Sequence, residues 1–171
     1  FCPSPLRDDG YDIAEYTSIH PSYGTLRDFR AFLREAHRRG LRVITELVVN
    51  HTSDQHPWFQ KARRGDPKFR DWYLWSKKRP ANWNKGMVFP GVQKAVWTRD
   101  PLAKQYYHHR FYDFQPDLNF DNPEVRTEIR RIIGYWLQLG VAGFRMDAVP
   151  FVIESGEELK PGLKFEYLAE M

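Results

Sequence analysis

The chain has 171 residues, enough for one domain with a sizeable core, and its 42% hydrophobic and 28% charged residues exclude a low-complexity or disordered chain. The net charge of +4 is mild, and the basic clusters Arg38-Arg39, Lys61 to Arg64 and Lys77 to Arg79 are interleaved with Asp and Glu. No nucleic-acid-binding module accompanies them, so no nucleic-acid partner is expected.

The single cysteine, Cys2, rules out an internal disulfide. No apolar run reaches the ~18 residues of a membrane span, so no membrane partner is expected. The start shows no basic stretch followed by an apolar one, which makes the cytoplasm the expected location. It also shows no initiator methionine, so Phe1 is expected to lie inside a larger protein. Six Trp, nine Tyr and twelve Phe would suit stacking against sugars as well as ordinary core packing.

Phe1 to Leu6, with two prolines, reads as the end of a strand running into a loop. Asp8-Asp9-Gly10-Tyr11-Asp12 continues it as a turn capped by Asp side chains; the further acidic positions of a helix-loop-helix calcium loop are missing. Thr25, with Asp28 three residues on, predicts a capped helix whose apolar face is Leu26, Phe29, Leu33 and Ala36. Arg38, Arg39 and Gly40 end it. Residues 41–49, Leu-Arg-Val-Ile-Thr-Glu-Leu-Val-Val, then read as a strand covered on both faces.

The same unit recurs later. Asn122 caps a helix with Pro123 at its first position, Val125, Ile129, Ile132, Trp136 and Leu139 form its apolar face, and Gly140 closes it. A second apolar strand, 141–149, follows. Two helix-then-strand units imply a parallel sheet, open or closed into a barrel. Between them, residues 51–121 are too many for a simple connection; they hold five of the six tryptophans and read as an inserted subdomain. After a polar connector from Glu157 to Gly162, Phe165 to Met171 reads as the start of a helix.

The second strand carries Arg145 and Asp147, two positions apart and therefore on one face, with Phe144, Met146 and Ala148 on the other. A charge pair on an apolar strand is costly to bury unless paired, and a neighbouring guanidinium favours an ionised carboxylate. Such a carboxylate suits a nucleophile; a buried ion pair without chemistry is the alternative reading of this strand alone. Asn50-His51 and Asp147 both fall at strand ends facing the insertion, where barrel enzymes build their sites.

Three motifs in this order resemble the α-amylase family, glycoside hydrolase family 13: Glu46-Leu-Val-Val-Asn-His51, Gln115-Pro-Asp-Leu-Asn119 and Gly143-Phe-Arg-Met-Asp147. The resemblance implies an α/β fold: part of a (β/α)8 TIM barrel from the end of strand 2 through strand 4, with a B domain inserted after strand 3. It divides the chain into a barrel segment 1–50, the insertion 51–121 and a barrel segment 122–171. It implies that Asp147 is the catalytic nucleophile with Arg145 its partner, and that Asp8, Tyr11 and His51 hold the sugar beside it.

Gln-Pro-Asp-Leu-Asn resembles the oligo-1,6-glucosidase and trehalose synthase side of the family. Thr45 to Phe59 and Met146 to Phe151 resemble the trehalose synthase branch, with Glu46 standing where aspartate is commoner. That branch implies maltose, trehalose or short α-glucans as substrates, with interconversion of maltose and trehalose as the activity. Hydrolytic α-glucosidase or α-amylase chemistry is the alternative, and a non-catalytic barrel relative a further one. The branch also implies structural Ca2+ at Asn50, Asp117, Glu154 and the carbonyls of Phe151 and Val152. The family's acid/base glutamate and second aspartate are expected beyond Met171. With two of eight strands, this stretch alone is expected to expose Val43, Ile44, Leu47, Val48 and Val49, to fold poorly and to be inactive.

Overall fold

The structure, a computed structural model, describes residues 1–153 and 163–171. In chain order the elements are α1 (Leu26–Arg38), β1 (Ile44–Leu47), α2 (Pro57–Ala62), β2 (Trp75–Ser76), β3 (Trp97–Arg99), β4 (Tyr106–His108), α3 (Pro123–Leu139), β5 (Gly143–Met146), α4 (Val149–Val152) and α5 (Glu166–Ala169). Glu154, one of the residues assigned to calcium, and the polar connector at 157–162 lie outside the described residues.

Both long helices start on their sequence signals. The Thr25 hydroxyl accepts from the Asp28 N–H at 3.3 Å while the Asp28 carboxylate accepts from the Thr25 N–H at 2.8 Å, a reciprocal capping box. Asn122 caps α3 through its side chain, Pro123 occupies the first turn, and Gly140 closes the helix at φ 108°, a conformation strained for any other residue. Leu33 and Ala36 of α1 are buried, as are Val125, Ile129, Ile132, Ile133 and Trp136 of α3. Trp136 joins the two helices to the N-terminal segment: its ring packs edge-on against Phe1 and Phe29, and its indole N–H donates to the Tyr16 carbonyl at 2.8 Å.

β1 and β5 pair in parallel, Ile44 opposite Gly143 and Glu46 opposite Arg145. Both strands are shorter than 41–49 and 141–149. The N–H groups of Leu41 and Val141 are spent on the carbonyls of Ala36 and Trp136, closing the preceding helices, so neither is free for a ladder. At its far end β5 stops because Ala148 turns left-handed at φ 54° and Pro150 lies in the first turn of α4, where it has no N–H to donate.

The expected double-sided cover of the first strand holds only in part. Ile44 is 63% exposed, whereas Leu47, Val48 and Val49, which were expected to face water, are buried in one cluster with Ile13, Tyr16 and Leu118. The Tyr16 hydroxyl lies 3.0 Å from the Val48 carbonyl and 3.1 Å from that of His51, so the N-terminal segment covers the carboxyl end of the strand. Residues 1–5 form no strand; the Phe1 and Pro3 carbonyls accept from His20 and Ala14 instead.

The insertion is built on a three-stranded antiparallel sheet ordered β2-β4-β3. Its core is aromatic: Phe59 on α2 packs against Tyr73, Trp75 and Tyr107 with ring centroids 5.1 to 5.6 Å apart. A buried ion pair, Arg63 to Asp100 at 2.6 Å, ties α2 to the turn after β3. Backbone hydrogen bonds from Thr52 to Pro116, Asp54 to Phe114 and Leu118 to Asn50 sew the insertion to the end of β1.

Candidate active site

The chain leaves β1 at Leu47 and is pinned over the next seven residues by residues 114–118 of the insertion on one side and the 8–16 loop on the other. Five of the residues named from the sequence meet here: Asp8, Tyr11, Asn50, His51 and Asp117. His51 is 1% exposed, with its Nε2 3.1 Å from the Tyr11 carbonyl and its Nδ1 3.3 Å from Asn50 Nδ2. A carbonyl can only accept and an amide nitrogen only donate, so the network assigns a neutral Nε2–H imidazole. Burial pushes the His51 pKa down, outweighing the pull upward from the Asp117, Asp147 and Asp8 carboxylates and the Tyr11 carbonyl. The Phe111 ring packs on it at 5.1 Å.

Asp117 is the polar centre of the seam. Its Oδ1 accepts from Asn50 Nδ2 at 3.2 Å; its Oδ2 accepts from the Arg110 N–H at 3.0 Å and lies 3.1 Å from His108 Nδ1. Burial alone would raise the Asp117 pKa, but His108, His51 and the Arg110 N–H together hold it below the ordinary carboxylate value. Asp8 is held across the site by Gln115, whose Nε2 donates to Asp8 Oδ2 at 2.7 Å while its Oε1 accepts from the Tyr112 N–H at 3.3 Å. The fully buried Asp12 shapes the loop beneath, accepting from the Ser4 hydroxyl at 2.6 Å and from the Arg7 and Asp8 N–H groups.

At the end of β5 the Asp147 N–H donates to the Leu47 carbonyl at 3.0 Å, so the carboxylate stands beside the end of β1. Arg145 is shared between two carboxylates: it bonds to Glu46 on β1, and Asp147 lies 3.6 Å away. The reading of a buried pair is corrected here: the Arg145 side chain is 61% exposed and that of Asp147 23%. Glu46, opposite Arg145 in the ladder, is the partner that the two-residue spacing on one strand did not reveal.

Phe151, one of the residues assigned to calcium through its carbonyl, packs its ring against Phe111 at 5.4 Å and under the Arg110 guanidinium at 5.0 Å; Val152 follows it in α4 and is buried. Arg110 and Phe111 are themselves held by Gln93, which donates to both their carbonyls. Asp117, which Asn50 bonds, and the start of α4 thus both contact one stretch of chain, 108–111. Among the described residues no three His, Cys, Asp or Glu side chains group to hold a metal, and no helix is long and apolar enough to cross a membrane.

Sequence reasoning missed Glu46, Gln115 and His108 as parts of this site. The signals present were a lone carboxylate inside an apolar strand and a glutamine opening one of the three motifs that carry the family resemblance.

Parallel strands with their helices before them, an insertion after the first strand, and carboxylates at both strand ends define one wall of a (β/α)8 barrel enzyme fold. The chain belongs to the α-amylase family: the profile of the α-amylase catalytic domain matches residues 1–164. It is 52% identical over 154 residues to a trehalose synthase of Thermus thermophilus, covering 90% of this chain and 16% of that protein. It is 48% identical over 172 residues to a trehalose synthase of Pimelobacter sp. (strain R48), covering 99% and 29%. An oligo-1,6-glucosidase of Parageobacillus thermoglucosidasius is 44% identical over 154 residues, covering 87% and 26%. Among solved structures, the trehalose-6-phosphate hydrolase of Bacillus licheniformis superimposes with a TM-score of 0.82 at 37% identity, over 97% of this chain and 30% of that one. The chain therefore spans between 16% and 29% of the length of these curated relatives.

Proposed function

We propose that this chain is the nucleophile-bearing part of a retaining α-glucoside enzyme that interconverts maltose and trehalose. One observation carries the reading: Asp147 stands at the end of β5 beside Arg145, facing a seam in which Gln115 and Asn50 already hold Asp8 and His51 in place. Names of relatives near 50% identity support the choice of branch.

In this reading an Asp147 oxygen attacks the anomeric carbon of the bound glucosyl unit. The glycosidic C–O bond breaks as the leaving oxygen takes a proton from a carboxylic acid outside residues 1–171. Retention places that acid about 5 Å from Asp147. The freed glucose turns, and its anomeric hydroxyl loses its proton to the same, now ionised, carboxylate as its oxygen attacks the anomeric carbon of the glucosyl ester; the C–O bond to Asp147 breaks and the 1,1 linkage forms. Asp8 and His51 hold the sugar hydroxyls, and Tyr11 stacks on the ring.

Hydrolysis is the second reading, favoured by the likeness to an oligo-1,6-glucosidase and to a hydrolase structure. There, water in place of the turned glucose takes the glucosyl ester. Incubating the full-length protein with maltose separates the two: trehalose formation is expected, and glucose without trehalose would overturn the interconversion reading.

The same proposal includes structural calcium. Asn50 and Asp117 meet side by side, the segment of Phe151 and Val152 packs over the same stretch, and amide, carboxylate and carbonyl oxygens suit a hard cation. A cation held there would tie the insertion to β1 and to the turn after Asp147, stabilising the assembled state alone. Chelation is expected to lower the melting temperature of the full-length protein, and an unchanged value would remove calcium.

A further inference from the structure

We propose that the groove between the carboxyl-terminal halves of α1 and α3 is a binding site for a phosphate-bearing small molecule. The groove measures about 300 Å3, the lower end of the range for small-ligand sites. Arg30, Arg34 and His37 line it from α1, and their spacing of four and then three residues puts them on a single face of that helix. Gln138 and Gly140 line it from the end of α3, and the buried side chain of Leu33 lies against it as well. A Cβ at position 140 would lie 3.3 Å from His37 Cε1, so the glycine that ends α3 also leaves the imidazole its room. Among the described residues, no carboxylate lines the groove.

The three side chains are unpaired: among the described residues none of them forms a hydrogen bond or an ion pair. The two carboxylates of α1 are both engaged elsewhere, Asp28 in the capping box and Glu35 with Arg38 and Arg39. Nor do these cations serve the helix ends, where the carbonyls of Ala36, His37, Trp136 and Leu137 already accept from backbone N–H groups. Like charges four residues apart destabilise a helix, so Arg30 and Arg34 weaken α1 unless an anion lies between them. A guanidinium fork matches two oxygens of a phosphate, and two forks with an imidazole can surround one dianion. The Gln138 amide adds a donor and an acceptor for a hydroxyl on the same ligand. Both helices run into the amino ends of their strands, so the groove lies at the opposite end of β1 and β5 from His51 and Asp147. Its occupant would brace α1 against α3 and take no part in the chemistry.

The test is calorimetric titration of the full-length protein with inorganic phosphate and with glucose 6-phosphate, against chloride at matched ionic strength. Each probe is expected to bind at a single site with a Kd below about 1 mM. Tighter binding of glucose 6-phosphate would make a phosphorylated sugar the occupant, and equal binding would make it free phosphate; either supports the site. Arg34→Gln keeps helix propensity and relieves the like-charge repulsion, so the variant should fold. It is expected to weaken binding about tenfold, and the double variant Arg30→Gln with Arg34→Gln about a hundredfold. Arg34→Lys, which keeps the charge without the fork, should fall between wild type and Arg34→Gln. Each probe should raise the melting temperature of the wild type and leave that of the double variant unchanged. No binding of either probe up to about 10 mM would overturn the proposal. An unchanged Kd in the double variant would also overturn it, placing the probe elsewhere on the protein. Displacement by chloride at matched ionic strength would do so too, reducing the groove to a diffuse basic surface.

Discussion

On β1 and β5 Arg145 is exposed and is shared between Glu46 and Asp147, both partly covered, with few bonds beyond that triangle. Across the seam, the end of β1 and the insertion bury polar groups that are bonded: Asn50, His51, Gln115 and Asp117 each have a defined partner. The same kinds of residue are thus treated in two ways within one site. A buried polar group must be paired or it destabilises the fold, so the insertion makes a rigid cradle. At the strand end Asp147 accepts no side-chain hydrogen bond among the described residues, with Arg145 3.6 Å away. In the proposed reading the cradle can be fixed because it only holds the sugar, while the strand carries the group that changes its bonding during turnover.

The contrast can be broken most severely at the strand. Asp147→Asn in the full-length protein should lower kcat by roughly 10^4-fold or more with folding unaffected, since one half-exposed carboxylate is made neutral. A variant with near-normal turnover would make the open charges of β5 mere surface.

Asp117→Ala should do the opposite, acting on stability first. It takes the acceptor from the Arg110 N–H, one of two partners from Asn50 Nδ2, and the negative charge from beside His108, all in a buried place, at a cost of about 3 kcal/mol. Urea unfolding measures it. A loss under half of that would mean the seam is not the rigid half of the pair.

A smaller effect is expected from pH acting on His56 of the insertion. Its Nδ1 accepts from the Trp58 N–H at 3.1 Å as the N-cap of α2, and burial pushes its pKa down to about 3, against a slight upward pull from Glu15. The unfolded chain keeps the ordinary value near 6.5. Between pH ~6.5 and 3 the unfolded state therefore binds the extra proton, and stability falls as pH falls, by at most about 1.4 kcal/mol per unit. His56→Asn, which keeps a cap, should flatten that part of the curve; an unchanged slope would assign it to other groups.

Gln115→Leu sharpens the comparison most finely. It removes the donor to Asp8 while filling similar space, so KM for maltose should rise by several-fold with kcat little changed. An unchanged KM would mean that Asp8 needs no holding.

Much of the frame was legible in the chain itself. Capping residues at Thr25 and Asn122, a glycine able to turn left-handed at 140, and apolar residues at helical spacing act over a few neighbours, so their consequences can be read locally. The motifs around His51, Asp117 and Asp147 likewise marked the three places that come together. Less legible were the true strand limits. They depend on whether the N–H of Leu41 or Val141 goes to a ladder or back into a helix, and on the left-handed turn at Ala148.

Sequence alone determined that the chain makes helix-then-strand units with an aromatic-rich insertion, and that Arg145 and Asp147 share a strand face. Periodicity and spacing are properties of adjacent residues. Only the tertiary structure decided that Glu46 takes the arginine, that Gln115 holds Asp8 from 107 residues away, and that Leu47 to Val49 are covered by the N-terminal segment. Those outcomes depend on register between strands and on which donor reaches an acceptor first. Distance in space, which sequence separation does not encode, settles both.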